Sequence, residues 1–239
     1  MRSGRFTRSS WRGGKVDAVG GAAENIESCM KTLEPQAEAR TLLPNVKWST
    51  YEALLDDMGP HRGRIAYEEG LLEIMSPSGA HEKLKGVIGR LVLAFAAERG
   101  IKITPFGSLT MKRELLQRGA EPDECYYIQN EALVRHKEDI DVAVDPPPDL
   151  VIEIEIARSA LDKPGIYSAL GVPELWRHDG ERLSIHVLGS EGKYLQTPRS
   201  RVLPGLPVWE LERFVSRRLE KSTSELAEEF RVLVRNLPH

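Results

Sequence analysis

The chain has 239 residues, 41% hydrophobic and 29% charged, which fits one soluble domain with a sizeable core. Its formal net charge of −3 gives no global basic signature, so any contact with nucleic acid would need a local patch. No apolar run is long enough to span a membrane, and the two cysteines, Cys29 and Cys125, have no metal-binding spacing and predict free thiols in a reducing, cytoplasmic compartment.

The first segment of the chain, residues 1 to about 40, contains small and basic residues with little apolar periodicity. This composition predicts a poorly ordered tail, whose arginines are available to phosphates, although a solvated tail is the simpler interpretation. Beyond it, a hydroxyl cap at Ser49 predicts a helix, and residues 64–75 predict a β-hairpin. We expect the folded domain to occupy residues 41–220.

The longest predicted helix runs from about Ala80 to Arg99 and has an apolar stripe at the spacing of a core-facing helix. His81 and Glu82 lie in its first turn. The position of Glu82 has two equally good explanations. It is either a charged residue that interacts favourably with the helix macrodipole, or a residue with a role in a functional site. For His81, a position beside a substrate is favoured, because the loop before the helix can approach a ligand.

A short strand rich in valine and isoleucine, residues 148–156, organises the chain. Alternation places its isoleucines on one face and Glu153 and Glu155 on the other. Two carboxylates on one face of an otherwise apolar strand are costly unless a cation lies between them, such as Lys163 or a divalent metal. The alternative is an edge strand with a solvated face, in which neither glutamate has a function.

The other elements place this strand within a larger fold. Pro122 precedes a further predicted strand, with Asp123 at its mouth. A helix follows Lys163, a hairpin forms on the Asp179-Gly180 turn, and a last helix lies within residues 221–239. Strands and helices mix without regular βαβ alternation, which predicts one α/β domain with a mixed β-sheet flanked by helices.

Five short motifs follow one another along the chain: Ile74–His81, Glu121–Asp123, Pro148–Ile154, Lys163 with Tyr167, and Ala169–Trp176. This order resembles the Uma2 family, also called DUF820, of PD-(D/E)XK nuclease-like proteins. The resemblance extends from about Asn45 to Phe214 and depends on the ordered set rather than on any single motif. It implies a restriction-endonuclease-like core, in which a mixed sheet lies between helices and carries metal-binding carboxylates at one end.

By position, the resemblance assigns Asp123 to the aspartate of the PD motif and Glu153 to the acidic residue of the (D/E)XK strand. Lys163 matches a lysine displaced onto the next helix, and Glu82 matches the acid of the first core helix less closely. The sequence departs from the general pattern at Glu155, where the motif places its lysine. These five residues are the candidate catalytic residues, and either Lys163 or Glu155 would activate water.

The chemistry of phosphodiester hydrolysis suits these residues. It needs a hard cation to stabilise charge on the phosphoryl oxygens, and Mg²⁺ prefers one or two carboxylates together with water and substrate. Asp123, Glu153 and a main-chain carbonyl near Ile154 are the expected ligands, and Mn²⁺ is an expected substitute. A lysine beside the metal would orient or help deprotonate the attacking water. We expect the ammonium of Lys163 near Glu155, where it would relieve repulsion between the two glutamates, and a second metal on Glu155 is an alternative.

These features predict a Mg²⁺-dependent DNA endonuclease. The alternatives are a nucleic-acid-binding module on the same fold without turnover, and another metal-dependent phosphoesterase. The combination of Asp123, Glu153 and Lys163 favours the enzyme, whereas the absence of a strongly basic charge favours the alternatives. DNA is the expected partner, without membrane association, and a homodimer would allow both strands to be cut in one encounter.

Overall fold

The computed structural model describes residues 38–59 and 63–238 of the chain. In this part of the chain, two β-sheets are flanked by six α-helices, which is the expected α/β class, although two sheets replace the expected single one. The predicted tail lies outside the described residues as far as residue 37. The last residues of the predicted tail belong to the fold, because a strand begins at Ala39. The sequence predicts that the folded domain begins at residue 41, so the strand starts two positions earlier.

Strands and helices follow one another along the chain without a regular alternation. The strands are β1 (Ala39–Leu43), β2 (Arg64–Glu68), β3 (Leu71–Ser76), β4 (Thr104–Pro105), β5 (Met111–Arg113), β6 (Arg118–Ala120), β7 (Glu124–Tyr127), β8 (Leu150–Ile154), β9 (Glu174–His178), β10 (Leu183–Leu188) and β11 (Tyr194–Thr197). The α-helices are α1 (Trp48–Met58), α2 (Gly79–Glu98), α3 (Glu131–Val134), α4 (Lys163–Ala169), α5 (Val208–Ser216) and α6 (Thr223–Arg235).

The first sheet is antiparallel and, within the described residues, has the strand order β1-β3-β2-β6-β5. The predicted hairpin is its β2–β3 pair, which turns at Glu69 and Gly70, both with positive φ. Helix α1 covers this sheet, and the ring of Tyr51 stacks on that of Tyr67 with centroids 5.0 Å apart. Strand β1 pairs with β3 and so brings the first described residues alongside the rest of the fold.

The second sheet contains the organising strand. Within the described residues its order is β11-β10-β9-β8-β7-β4, and β8 and β9 are its parallel pair. Strand β8 therefore lies between two neighbours, and the alternative of an edge strand with a solvated face is wrong. All five of its residues are buried. Ile152 and Ile154 pack in the core formed with α2, whereas Val151 packs in the core formed with α4, which is the predicted alternation.

Helices cover both faces of the second sheet. On one face α2, α5 and α6 share a core in which Phe214 and Phe230 meet edge to face, and α4 packs on the opposite face. Helix α2 begins close to its predicted start because Ser78 Oγ accepts a hydrogen bond from the backbone N–H of His81. Among the described residues, no helix is both long enough and apolar enough to cross a membrane.

Glu174, an acid within the last motif, has a structural role at the start of β9. It is buried, and its carboxylate accepts hydrogen bonds of 2.6 to 3.2 Å from Trp176 Nε1, Ser200 Oγ and the backbone N–H groups of Arg201 and Val202. One side chain thereby satisfies four donors and fastens the segment before α5 to the second sheet.

Replacing Glu174 by alanine is expected to lower the free energy of unfolding by about 3 kcal/mol or more, because several buried donors lose their acceptor together. Urea unfolding of the two proteins measures this loss. Glu181→Ala is the matched control, since Glu181 is exposed in the turn between β9 and β10 and should change stability by less than about 0.5 kcal/mol. Equal midpoints for the two variants would contradict the structural role of Glu174.

Candidate active site

Asp123 lies in the connection from β6 to β7, where the chain passes from the first sheet to the second. The residue is 1% exposed, and both of its carboxylate oxygens have hydrogen-bond partners. Oδ1 lies 2.7 Å from His81 Nε2, and Oδ2 accepts from the backbone N–H of Ile154 at 2.7 Å. Arg64 Nε is 3.7 Å from Oδ1 and adds positive charge. Asp123 is thereby fixed against the end of β8.

Glu153 projects from β8 towards helix α4. Lys163 Nζ donates to its Oε2 at 2.6 Å, and the Tyr167 hydroxyl donates to its Oε1. Because Lys163 and Tyr167 are four residues apart on α4, both side chains lie on the helix face that meets β8. Glu153 is 1% exposed and Lys163 is 3% exposed. The structure thus brings Glu153 and Lys163 into direct contact within a buried centre.

His81 connects Asp123 to the carboxylate of Glu38, the first residue that the structure describes. Its Nδ1 lies 2.6 Å from Glu38 Oε1, while its Nε2 faces Asp123. The second oxygen of Glu38 accepts from Arg40 Nη2 and from the backbone N–H of Ala157, both at 3.1 Å. The side chains of His81 and Glu38 are fully buried. His81 therefore lies in the centre, next to Asp123.

Glu155 does not join this centre. Strand β8 ends at Ile154, and the Glu155 carboxylate pairs with Arg177 Nη2 of β9 at 2.5 Å. The expected contact between Lys163 and Glu155 is not formed, because the lysine binds Glu153 instead. The cation that relieves the charge of Glu155 comes from the neighbouring strand.

Glu82 also lies apart from the centre. It belongs to the first turn of α2, its side chain is 43% exposed, and its carboxylate pairs with Lys85 at 2.5 Å. It forms no described contact with Asp123 or Glu153. These contacts are those of a charged helix start, so the structure assembles Asp123, Glu153 and Lys163 but leaves Glu82 on the surface.

Glu73 of β3 holds the loop between β8 and α4. This buried carboxylate accepts from Arg40 Nη1 at 2.7 Å, and from Ser159 Oγ and the Ala160 backbone N–H at 2.9 Å. Arg40 also bonds Glu38, so one arginine of β1 links two buried carboxylates. The first sheet is thereby tied to the loop that leads to Lys163.

Opposing effects set the charge states in the centre. Burial raises the pKa of Glu153 to about 7, helped by the charge of Asp123 and opposed by Lys163. Burial alone would lower the pKa of Lys163, but Glu153 and Asp123 outweigh it and raise that pKa. For Asp123, the effect of burial is outweighed by His81 and Lys163, and the pKa is lowered. Asp123 is therefore ionised and Lys163 protonated at neutral pH.

The donor set suits a hard divalent cation. Asp123 and Glu153 offer oxygen atoms, and each of these oxygens accepts one described hydrogen bond while keeping further acceptor capacity. Burial raises the pKa of Glu153, the charge of Asp123 adds to this effect, and a bound cation would favour the ionised carboxylate. In the described ranges, no three His, Cys, Asp or Glu side chains form a metal-binding group. Two carboxylates are within the donor chemistry of Mg²⁺, which is bound through one or two carboxylates and keeps several waters.

Sequence reasoning missed two residues of the centre and did not assign a role to a third. Glu38 and Arg40 lie in the segment interpreted as a tail, and no local pattern marks them. Tyr167 belongs to a recognised motif, and its spacing of four from Lys163 was the available signal that both side chains share a helix face.

Fold and site together define an α/β protein in which a lysine and two carboxylates meet at the end of a strand in a mixed sheet. Residues 48–224 match the Uma2 family, whose description is "putative restriction endonuclease". Because the match covers most of the chain, the protein belongs to the Uma2 family, and the resemblance drawn from the ordered motifs is confirmed. The family places the protein among nucleases.

A solved structure, described as a putative nuclease belonging to DUF820 from Anabaena variabilis, is also similar to this chain. The two share 16% sequence identity with a TM-score of 0.38, over 70% of this chain and 90% of that one. This degree of likeness is too low to transfer any detail of the site. Comparison with curated proteins gives no match.

Proposed function

We propose that this protein is a Mg²⁺-dependent endonuclease that hydrolyses DNA phosphodiester bonds. The observation that carries the proposal is the buried contact between Lys163 and Glu153, beside Asp123, in a chain of the Uma2 family. Oxygen ligands for a hard cation next to a lysine are what metal-assisted attack of water on a phosphodiester requires. A general acidic cluster would lack the buried ammonium.

Each residue of the centre has a distinct role in this proposal. Asp123 and Glu153 would hold the Mg²⁺, which supplies a Lewis acid for the phosphoryl oxygens when bound. Lys163 stays protonated, since Glu153 and Asp123 raise its pKa, and it therefore acts through its charge and its N–H donors. It is placed to orient water or to stabilise a phosphoryl oxygen as negative charge develops. Tyr167 and His81 fix the two carboxylates in place.

A groove beside helix α4 favours a nucleic-acid strand as the substrate. Two adjoining cavities of about 280 and 370 Å³ share Asp162, Pro164 and Arg177 in their linings. This α4 groove reaches Arg158 in one cavity and Lys193 in the other, and both cations are exposed. Neither forms an ion pair with a described residue. Exposed cations along a groove that form no ion pair within the described residues suit successive phosphates of a strand.

The α4 groove is lined by chain neighbours of the residues in the buried centre. Asp162 and Pro164, which line it, flank Lys163 in the chain, and Glu155, which also lines it, follows Glu153 by two residues. A strand bound in the groove would run along the two elements that carry the catalytic side chains. On this proposal, the groove would be the local binding surface that the net charge of the whole chain does not indicate.

Removing both groove cations, in Arg158→Ala with Lys193→Ala, is expected to weaken DNA binding. The slope of log affinity against log salt should fall by roughly one unit for each phosphate that the protein no longer neutralises. Fluorescence anisotropy of a short labelled duplex at several salt concentrations measures this change. The matched control removes Lys102 and Arg182, two exposed cations outside the groove, and should keep the wild-type slope. If both double variants have the same slope of log affinity against log salt, DNA does not bind in the α4 groove.

The direct test of the proposal is plasmid nicking. Purified protein is expected to convert supercoiled plasmid to the nicked form with Mg²⁺ or Mn²⁺, and to stop when EDTA removes the metal. Glu153→Gln, prepared in parallel, should be inactive because it replaces one of the two metal-binding carboxylates. Nicking that persists in EDTA and in Glu153→Gln would come from another protein and would count against the proposal.

Two outcomes would favour the alternatives. DNA binding without nicking under any divalent metal would favour a nucleic-acid-binding module without turnover. Metal-dependent hydrolysis of a small phosphodiester such as bis-p-nitrophenyl phosphate, with plasmid left intact, would favour a different phosphoesterase.

A further inference from the structure

Glu38 reaches the centre from outside the segment that matches the family, which begins at residue 48. The pairing of β1 with β3 brings it there, since Ala39 lies opposite Ser76 and Arg40 opposite Met75. Strand β3 leads directly into the cap of helix α2, where His81 lies. The Glu38 carboxylate therefore arrives beside the first turn of α2 without being part of the recognised motifs.

Glu38, His81 and Asp123 form a continuous chain of hydrogen bonds. The two ring nitrogens of His81 lie 2.6 Å from Glu38 Oε1 and 2.7 Å from Asp123 Oδ1. Ionised carboxylates only accept hydrogen bonds, so the ring satisfies both when each nitrogen carries a proton. Arg40 and the Ala157 backbone N–H hold the other oxygen of Glu38. The ring is thus fixed from the side away from Asp123.

We propose that Glu38 is a positioning residue of the centre: it fixes the His81 ring so that Nε2–H holds Asp123 in the orientation that binds a divalent cation. The inference rests on the proposed function for the identity of the cation. Partners in the outer shell of a metal site orient the ligands in this way, and their loss commonly weakens metal affinity or activity by about 10- to 100-fold.

Glu73 provides a matched comparison. It is a buried glutamate that also bonds Arg40, but its remaining described partners are Ser159 and Ala160 of the loop before α4. Glu73→Gln keeps the length of the side chain and an acceptor oxygen, so it should weaken the contacts with the loop while Arg40 and the Ala157 N–H still hold Glu38 against the His81 ring. A difference between Glu38 and Glu73 variants isolates the contact with His81 from a general structural effect.

The experiment measures Mn²⁺ affinity by calorimetry on the full chain. Glu38→Ala should bind Mn²⁺ about tenfold or more weakly than wild type, and its nicking rate should recover towards wild type at saturating Mn²⁺. Glu38→Gln, whose amide oxygen can still accept from His81 Nδ1–H, should recover part of the affinity. Glu73→Gln should keep the wild-type affinity even if its thermal midpoint falls. If Glu38→Ala does not fold, the Mn²⁺ affinity of Glu38→Gln is compared with that of Glu73→Gln. A weaker affinity in Glu38→Gln supports the positioning role, and equal affinities contradict it.

Nitrogen-15 NMR of the metal-free protein separates this inference from the proposed function. The wild-type His81 ring should show a protected N–H at each nitrogen, Glu38→Ala should lose protection at Nδ1, and Glu73→Gln should keep both. These signals, with a wild type that binds Mn²⁺ but does not nick DNA, would refute the nuclease and leave the positioning role standing. Wild-type Mn²⁺ affinity in Glu38→Ala would overturn the positioning role. Faster nicking by that variant would also overturn it, because Glu38 would then be blocking the centre.

Discussion

Replacing Lys163 by alanine is expected to lower the single-turnover nicking rate by roughly 10²-fold or more, the usual scale for losing a preorganised donor that stabilises charge developing in the transition state. The thermal midpoint should also fall, because removing one partner of a buried ion pair costs about 3–5 kcal/mol. Protonation of Glu153, whose pKa is already raised to about 7, limits that loss. Mn²⁺ binding should survive, since Asp123 and Glu153 remain.

Lys163→Arg separates charge from donor geometry. Arginine keeps the positive charge, but its larger, planar guanidinium must fit where a compact ammonium is buried and directs its N–H donors differently. The variant is therefore expected to recover stability more than rate. Lys112→Ala is the control, because Lys112 forms a half-exposed ion pair with Glu52 at 2.8 Å and should affect neither property strongly. Wild-type nicking by Lys163→Ala would remove the lysine from the mechanism and make Glu155 the leading candidate for activating water.

Local sequence patterns predict the parts of the centre that lie on regular elements. Alternation along β8 separates Ile152 and Ile154 from Glu153, and the structure places them on opposite faces because the strand is regular at these positions. Lys163 and Tyr167 share a helix face for the same kind of reason. Strand alternation and helix spacing depend only on residues close in the chain, so a single sequence is sufficient to predict which side chains share a face.

The remaining contacts depend on pairings between distant segments. The strand alternation was extended to Glu155, but β8 ends at Ile154, and the partner of Glu155 is Arg177 from the parallel strand β9. Glu38 enters the centre because β1 pairs with β3, more than thirty positions along the chain. Neither register follows from propensity or periodicity, since each is decided by how the sheets assemble.

Asp123 and Glu153, the two carboxylates proposed to bind the metal, are expected to differ in their effect on stability. Asp123→Asn and Glu153→Gln should each weaken Mn²⁺ binding and nicking by at least about tenfold, because each removes a charged oxygen ligand. Asp123 accepts from N–H donors on both oxygens, so an asparagine NH₂ must face a donor and cost about 1–3 kcal/mol. Glutamine at position 153 can still accept from Lys163 and donate to the Tyr167 hydroxyl, but it leaves the buried Lys163 ammonium without its anionic partner. Its stability near neutral pH is therefore expected to fall by more than that of Asp123→Asn, by about 3–5 kcal/mol.

Calorimetry with Mn²⁺ and urea unfolding near pH 7 measure both properties in the same proteins. Asp149→Asn is the matched control, because Asp149 is buried beside the other end of β8 and accepts from the backbone N–H groups of Ile128 and Asn130. It should lose stability as Asp123→Asn does, for the same reason, yet keep its Mn²⁺ affinity. If Asp123→Asn and Glu153→Gln both bind Mn²⁺ as tightly as wild type, the ion is held by other residues. If Glu153→Gln is the more stable of the two, the ion pair with Lys163 contributes less to the fold than its buried geometry indicates.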